Sequence, residues 1–409
     1  MVCLSRGIPR SSSVHPARRL AAALVSVVLA GCGGAPSRPI ATTAQLRERG
    51  RADATEMGET FHRAVASLVA RTEERAKTSG GEPPVLNILA MSGGGDYGAF
   101  GAGVLVGWGQ ATDRAWRRPE FDAVTGVSTG AMLSPFAFVG TDESCLQVET
   151  FYRNPKPDWV EDRGLLFFLP YNPSFMMLPG LTRDIKAAVD APFVARIAEE
   201  SRKGRLLLVS ATDLDYGRQK IWEVGAEAQK ATDAAGVERV RQILLASAAI
   251  PAIFPSVIID GQAYADGGVT ANVLVKLDPR SPQGFLQVWK AQNPGKTFPK
   301  VRYWVIINNQ MHQRPTTVQL KWPSIAGPSL ATAIRSATIS EVRWLAAEAD
   351  FTNVKYGAEI EVRVLAIPDE WSPPVEGDFE KATMNSLADL GRRLGADHTS
   401  WQVWAEPGR

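Results

Sequence analysis

Val85-Leu-Asn-Ile-Leu-Ala-Met91-Ser-Gly93-Gly-Gly95-Asp-Tyr-Gly98 opens with a run of apolar residues, breaks on three glycines and then runs on through Ala99 to Gln110. A short apolar run of this length reads as a buried strand, and the stretch after the glycines reads as a helix. The same unit recurs. Ala123 to Thr125, Leu206 to Ala211, Trp304 to Ile307 and Val362 to Ile367 form further apolar runs, with helical stretches expected near 99–110, 130–139, 237–248, 331–349 and 378–394. Strands alternating with helices predict an α/β fold of three layers, a mostly parallel central sheet with helices on both faces. Ligands of such sheets bind beyond the carboxyl ends of the strands. Chemistry is therefore sought in the loops that follow these runs.

The glycine loop comes first. Successive glycines let backbone N–H groups converge, and the start of a helix adds positive potential there, so Gly93, Gly94 and Gly95 form a candidate anion site with Gly98 in support. Gly93, Gly95 and Gly98 also spell G-x-G-x-x-G, which admits a dinucleotide site with Asp113 or Glu120 as the ribose acid. That alternative leaves the next two motifs unexplained.

Gly126-Val127-Ser128-Thr129-Gly130 lies between the run Ala123 to Thr125 and a helical stretch. A G-x-S-x-G at a strand-to-helix junction makes a strained elbow that exposes the serine hydroxyl, with glycines relieving clashes in the tight turn. In a chain with 36 glycines the pattern also arises by chance, so its position carries the weight. Downstream, Asp266-Gly267-Gly268 ends the run Ile258 to Ala265; alone, it reads as a structural turn.

Taken together and in this order, the three motifs resemble the patatin-like phospholipases, whose glycine-rich loop, G-x-S-x-G and D-G-G or D-G-A follow one another along the chain. The resemblance spans about 85–273, and Ala246-Ser-Ala-Ala-Ile-Pro-Ala-Ile-Phe-Pro255 is also similar to the family. It implies a serine acyl hydrolase in which Ser128 attacks a carboxylic ester and Asp266 is its base. Gly93 to Gly95 would stabilise the oxyanion and Gly126, Gly130, Gly267 and Gly268 would shape the turns. The family often has Arg or Lys where this chain has Tyr97, so a cation is not expected in the loop. No cofactor and no metal are needed, and the substrate implied is a phospholipid or another lipid ester. Two alternatives stay open. His312 or His398 could complete a Ser, Asp, His triad of the α/β-hydrolase kind, or the chain could be a non-catalytic envelope lipoprotein.

The N-terminus reads as an address. Arg18-Arg19 precede the apolar run Leu20 to Leu29, and Ala30-Gly31 lead to Cys32, the plan of a secretory signal peptide. The run is too short for the ~20 residues a membrane-crossing helix needs. Leu29-Ala30-Gly31-Cys32 resembles the lipobox of bacterial lipoproteins, which implies a lipidated Cys32 and a place in the bacterial cell envelope, with Gly33 pointing to the outer membrane. The expected organisation is a signal peptide over 1–31, a tether and helical segment over 32–84, with the helix from about Thr42 to Thr78, and the hydrolase domain over 85–409.

Composition sets the outer limits. Lysine plus arginine number 45 against 43 aspartate plus glutamate, so the field needed to gather nucleic acid is missing. The three cysteines, Cys3, Cys32 and Cys145, do not suggest a disulfide framework. The segment 164–179, apolar and broken by prolines, suits either a lid beside a membrane or buried irregular core.

Overall fold

The computed structural model describes residues 38–78, 84–164, 172–275 and 280–404. Cys32 and the whole of the signal segment lie outside the described residues. Helix α1 (Thr43–Thr78) comes first. Its start is set by Thr42 and Gln45, which cap one another: the Thr42 hydroxyl accepts from the Gln45 N–H at 3.3 Å and the Gln45 side chain accepts from the Thr42 N–H at 2.9 Å. Ala64, Val65, Leu68, Val69 and Thr72, spaced by three and four, form its buried face.

The chain then runs through β1 (Leu86–Met91), α2 (Gly98–Gly109), β2 (Ala123–Val127), α3 (Thr129–Val139), α4 (Asp142–Arg153), and the short pair β3 (Glu161–Asp162) and β4 (Met176–Met177). Next come α5 (Pro179–Ala188), α6 (Ala191–Arg202), β5 (Leu206–Asp213), β6 (Arg218–Glu223), α7 (Val224–Lys230), α8 (Ala234–Ser247), β7 (Val257–Ile259) and β8 (Gln262–Ala265). Helix α9 (Phe285–Gln292), β9 (Val301–Gln310), α10 (Trp322–Tyr356), β10 (Ile360–Ile367), α11 (Lys381–Ala396) and β11 (Gln402–Val403) complete it.

Among the described residues, one sheet of nine strands runs β11-β10-β9-β1-β2-β5-β8-β7, with β6 also paired to β5. The five strands β10, β9, β1, β2 and β5 are parallel neighbours, and they are the five apolar runs recognised in the sequence. The antiparallel partners lie toward the margins: β6 and β8 on β5, β7 on β8, and β11 on β10. Strand alternation divides the core. Leu89, Met91, Val124, Leu207, Val209, Trp304 and Ile306 pack with α2, α3 and α11 on one face, while Leu86, Ala90, Ala123, Tyr303 and Val305 pack with α1 and α10 on the other. The three-layer α/β expectation holds.

Helix α1 is pinned to the sheet by charge. Fully buried Asp122, just before β2, accepts from Arg71 at 3.0 Å and from Arg75 at 2.6 Å, and Asp53 pairs with Lys220 and Arg218 of β6. Among the described residues no helix is long and apolar enough to cross a membrane.

Candidate active site

Strands β1 and β2 lie side by side and parallel, with Met91 in register with Gly126, so the glycine loop after β1 and the serine after β2 emerge together at the carboxyl end of the sheet. Ser128 is held at φ 54° and ψ −122°, a conformation that non-glycine residues avoid at a cost of about 1–3 kcal/mol. Helix α3 begins at the next residue, so its N-terminal potential falls on Ser128. The turn is tight enough to require both flanking glycines. A Cβ on Gly126 would meet the Gly130 carbonyl, and one on Gly130 would meet the Met91 carbonyl. Fully buried Ser247 fastens the elbow: its hydroxyl accepts from the Ser128 N–H at 2.9 Å and donates to the Ser210 carbonyl at 2.6 Å.

Gly93 stands directly against this serine, since a Cβ built on it would lie 2.9 Å from the Ser128 Cβ. Its N–H donates to the Asn272 carbonyl at 3.3 Å. The N–H groups of Gly94 and Gly95 have no hydrogen-bond partner among the described residues. Gly94 lies against β9, where a Cβ would meet the Asn308 carbonyl. Buried Asn308 braces the loop by donating from Nδ2 to the Ser92 carbonyl at 2.8 Å and accepting from the Gly101 N–H at 3.0 Å. Gly98 begins α2 against Thr129 and Tyr152. The Tyr97 ring packs edge-on to Trp371, with centroids 5.5 Å apart, and burial raises the pKa of its hydroxyl. The neutral ring thus occupies the position where the family often carries a cation.

Asp266 follows the antiparallel strand β8, and its backbone is clamped on both sides. Its N–H donates to the Ala249 carbonyl at 2.8 Å and its carbonyl accepts from the Thr212 hydroxyl at 2.9 Å. Oδ1 accepts from the Gly268 N–H at 2.7 Å, while Oδ2 is buried without a hydrogen-bond partner among the described residues. Ser128 and Asp266 are 6% and 5% exposed, so both sit in a site with little bulk water. Burial pushes the Asp266 carboxyl up to about 6, opposed by the neighbouring Ser128 hydroxyl and the Gly268 N–H. Gly267 lies against the Ser210 carbonyl and the Val127 side chain, which brings the aspartate turn next to the elbow.

Other sequence candidates sit elsewhere. His312 Nδ1 pairs with Asp369 Oδ2 at 2.7 Å on an exposed loop, and the His398 ring packs near Trp116 with centroids 5.9 Å apart. Neither hydrogen-bonds to Ser128 or Asp266 among the described residues. Of the two acids considered for a ribose, Glu120 pairs with Arg71, and Asp113 accepts from the Ala115 N–H at 2.9 Å. Much of the 164–179 segment, residues 165–171, lies outside the described residues. The described Phe175 and Met176 donate to the Ala252 and Ile253 carbonyls at 2.7 and 2.9 Å, in the stretch that leads to Asp266.

Several polar residues that support the site were not singled out in the sequence: Ser247, Asn272, Asn308, Thr338 and Glu341. Asn272 donates to the Thr338 hydroxyl at 2.7 Å, and Glu341 accepts from the Asn272 and Val273 N–H groups at 3.1 and 2.7 Å. Burial pushes the Glu341 carboxyl up to about 7. Only Asn308 carried a usable signal, as a polar residue ending an apolar strand at the functional edge of the sheet.

Ser128 on its strained elbow, the glycine loop and the buried Asp266 carboxylate thus come together at one end of the sheet. Residues 89–277 match the family model described as patatin-like phospholipase, so the chain carries a patatin-like phospholipase domain, a hydrolase domain for lipid esters in general. Among solved structures, the crystal structure of VipD from Legionella pneumophila is similar at 11% identity, covering 79% of this chain and 68% of that one with a TM-score of 0.33. No curated protein matches the chain.

Proposed function

We propose that this protein is a serine acyl hydrolase that cleaves carboxylic esters of phospholipids or related lipids through a Ser128–Asp266 dyad. The observation that carries it is Asp266 Oδ2, a buried carboxylate oxygen without a hydrogen-bond partner among the described residues, in a carboxyl group neighbouring a serine held at positive φ. Ionised Asp266 takes the proton from Ser128 Oγ as Oγ bonds to the ester carbonyl carbon. The Gly94 and Gly95 N–H groups donate to the oxyanion; a single such donor is worth about 2.7–4 kcal/mol in other hydrolases. Collapse breaks the ester C–O bond, and the departing alkoxide takes the proton held by Asp266. Water then attacks the acyl-enzyme, gives its proton to Asp266 and releases the acid, while Ser128 Oγ recovers that proton.

A pKa of about 6 suits Asp266 to this work, since an exposed carboxylate near its reference of ~3.9 is too weak a base. The lipobox-like Leu29 to Cys32 supports a mature protein held at the bacterial outer membrane by an acylated Cys32, which would place the domain beside its substrate. The test is labelling by a fluorophosphonate together with turnover of p-nitrophenyl acyl esters. Wild type is expected to do both and Ser128→Ala neither, with an unchanged circular dichroism spectrum. Turnover retained by Ser128→Ala would mean that another group attacks, and absence of turnover in wild type would favour a non-catalytic lipoprotein.

A further inference from the structure

The described residues leave the face of the sheet under α1 incompletely covered. Ile88 of β1 and Leu208 of β5 belong to central strands, yet neither is fully buried. Between them and α1 lies a cavity of about 390 Å³ with a largely apolar wall, to which Phe61, Leu68 and Phe285 also contribute. That volume is within the roughly 300–1,000 Å³ of small-molecule sites. Neither Ser128, Asp266 nor the glycine loop lines it.

Two features distinguish it from a simple packing gap. The first is an orphan: Gln219 lines the cavity, and its Nε2 is buried without a hydrogen-bond partner among the described residues. A buried amide donor left unmet is costly, so a ligand oxygen placed there gains what the fold leaves unused. The second is continuity. A charged cleft of about 690 Å³ adjoins the cavity and shares Met57, Thr60, Ala64, Leu206, Ile221 and Glu223 with it. Six basic and five acidic side chains line the cleft, a near balance that suits a single carboxylate or a zwitterion better than a highly charged group.

An apolar compartment opening through a polar junction into a charged cleft is shaped for an amphiphile. We propose that α1 and the sheet enclose a binding site, separate from the Ser128 site, for one acyl chain, carried by a free fatty acid or a monoacyl phospholipid. The chain lies against Ile88, Leu208 and Phe61, and the oxygen at its end, the carboxylate of a fatty acid or the ester carbonyl of a monoacyl phospholipid, accepts from Gln219 Nε2, with the phospholipid's head extending on into the cleft. Burial of the chain provides the driving force.

The experiment uses full-length Ser128→Ala protein, stripped of lipid, titrated with radiolabelled palmitate in one arm and palmitoyl lysophosphatidylcholine in the other. Gly58→Leu and Leu208→Trp are added to fill the space. Gly58 lines the cavity and a Cβ there meets nothing within 4 Å, so leucine has room and also favours the helix. Saturation at one equivalent is expected in at least one arm, and the arm identifies the source of the chain. Affinity should fall by about tenfold or more in each filled variant. Absence of saturable binding in both arms, or unchanged affinity in either filled variant that keeps its circular dichroism spectrum, overturns the proposal and leaves a packing void. Ester turnover is measured separately with Ser128 restored, so failure of the proposed dyad and failure of this site give different results.

Discussion

Replacing Asp266 by asparagine separates what the carboxylate costs the fold from what it contributes to the reaction. The group ionises near 3.8 when solvated and near about 6 in the folded protein. Between those values the folded state holds a proton that the unfolded chain has lost, so stability falls as pH rises through this window. The cost is absent below the first value and complete above the second. At about 1.36 kcal/mol per pH unit it amounts to roughly 3 kcal/mol at neutral pH. Asparagine carries no charge, and its Oδ1 still accepts from the Gly268 N–H, a bond of 2.7 Å in the parent. Its Nδ2 takes the place of the unpartnered Oδ2, which returns about 1 kcal/mol of that gain. Asp266→Asn is therefore expected to be more stable than wild type by roughly 2 kcal/mol near pH 8, with the advantage shrinking by about as much near pH 4.5. Urea denaturation at both pH values measures this. Hydrolysis of p-nitrophenyl esters should be lost at every pH, while wild-type kcat/KM falls as pH drops below about 6, because the base must be ionised. Equal midpoints for the two proteins near pH 8, or a gap independent of pH, would refute a buried carboxyl with a raised pKa. Full turnover in the asparagine variant would refute the dyad itself.

Gly94→Ala should slow turnover by at least about tenfold while KM changes little, because the new methyl meets the Asn308 carbonyl and shifts a donor needed in the transition state. His312→Ala and His398→Ala, made singly, should keep most of the hydrolytic rate; a loss as large as that of Ser128→Ala in a folded protein would make a triad histidine the base. Ser247→Ala leaves the buried Ser128 N–H without its acceptor and should cost about 1–3 kcal/mol in urea denaturation, with a lower kcat. Mass spectrometry of the mature N-terminus should find an acylated Cys32, and an unmodified terminus at another residue would remove the lipid anchor.

The five parallel strands were legible in the sequence because strands buried in a parallel sheet are rich in apolar residues, and the short runs Val85 to Met91, Ala123 to Thr125, Leu206 to Ala211, Trp304 to Ile307 and Val362 to Ile367 are mostly apolar. The elbow was legible for a local reason too: a turn in which carbonyls approach as closely as those of Met91 and Gly130 accepts only glycine at fixed spacing around the serine. Asp266 was visible only through its family resemblance, since Asp-Gly-Gly alone is an ordinary turn. What tertiary structure decided is the company these residues keep. Ser247, Asn272, Asn308 and Glu341 lie at separations of up to some two hundred residues from the loops they brace, and no local pattern marks a polar residue whose partner is that distant. The raised pKa of Asp266 likewise comes from burial by elements contributed by separate parts of the chain. So too does the cavity left between the sheet and α1 among the described residues, because helical periodicity states which side of α1 turns inward but not how completely that side fills the space below it.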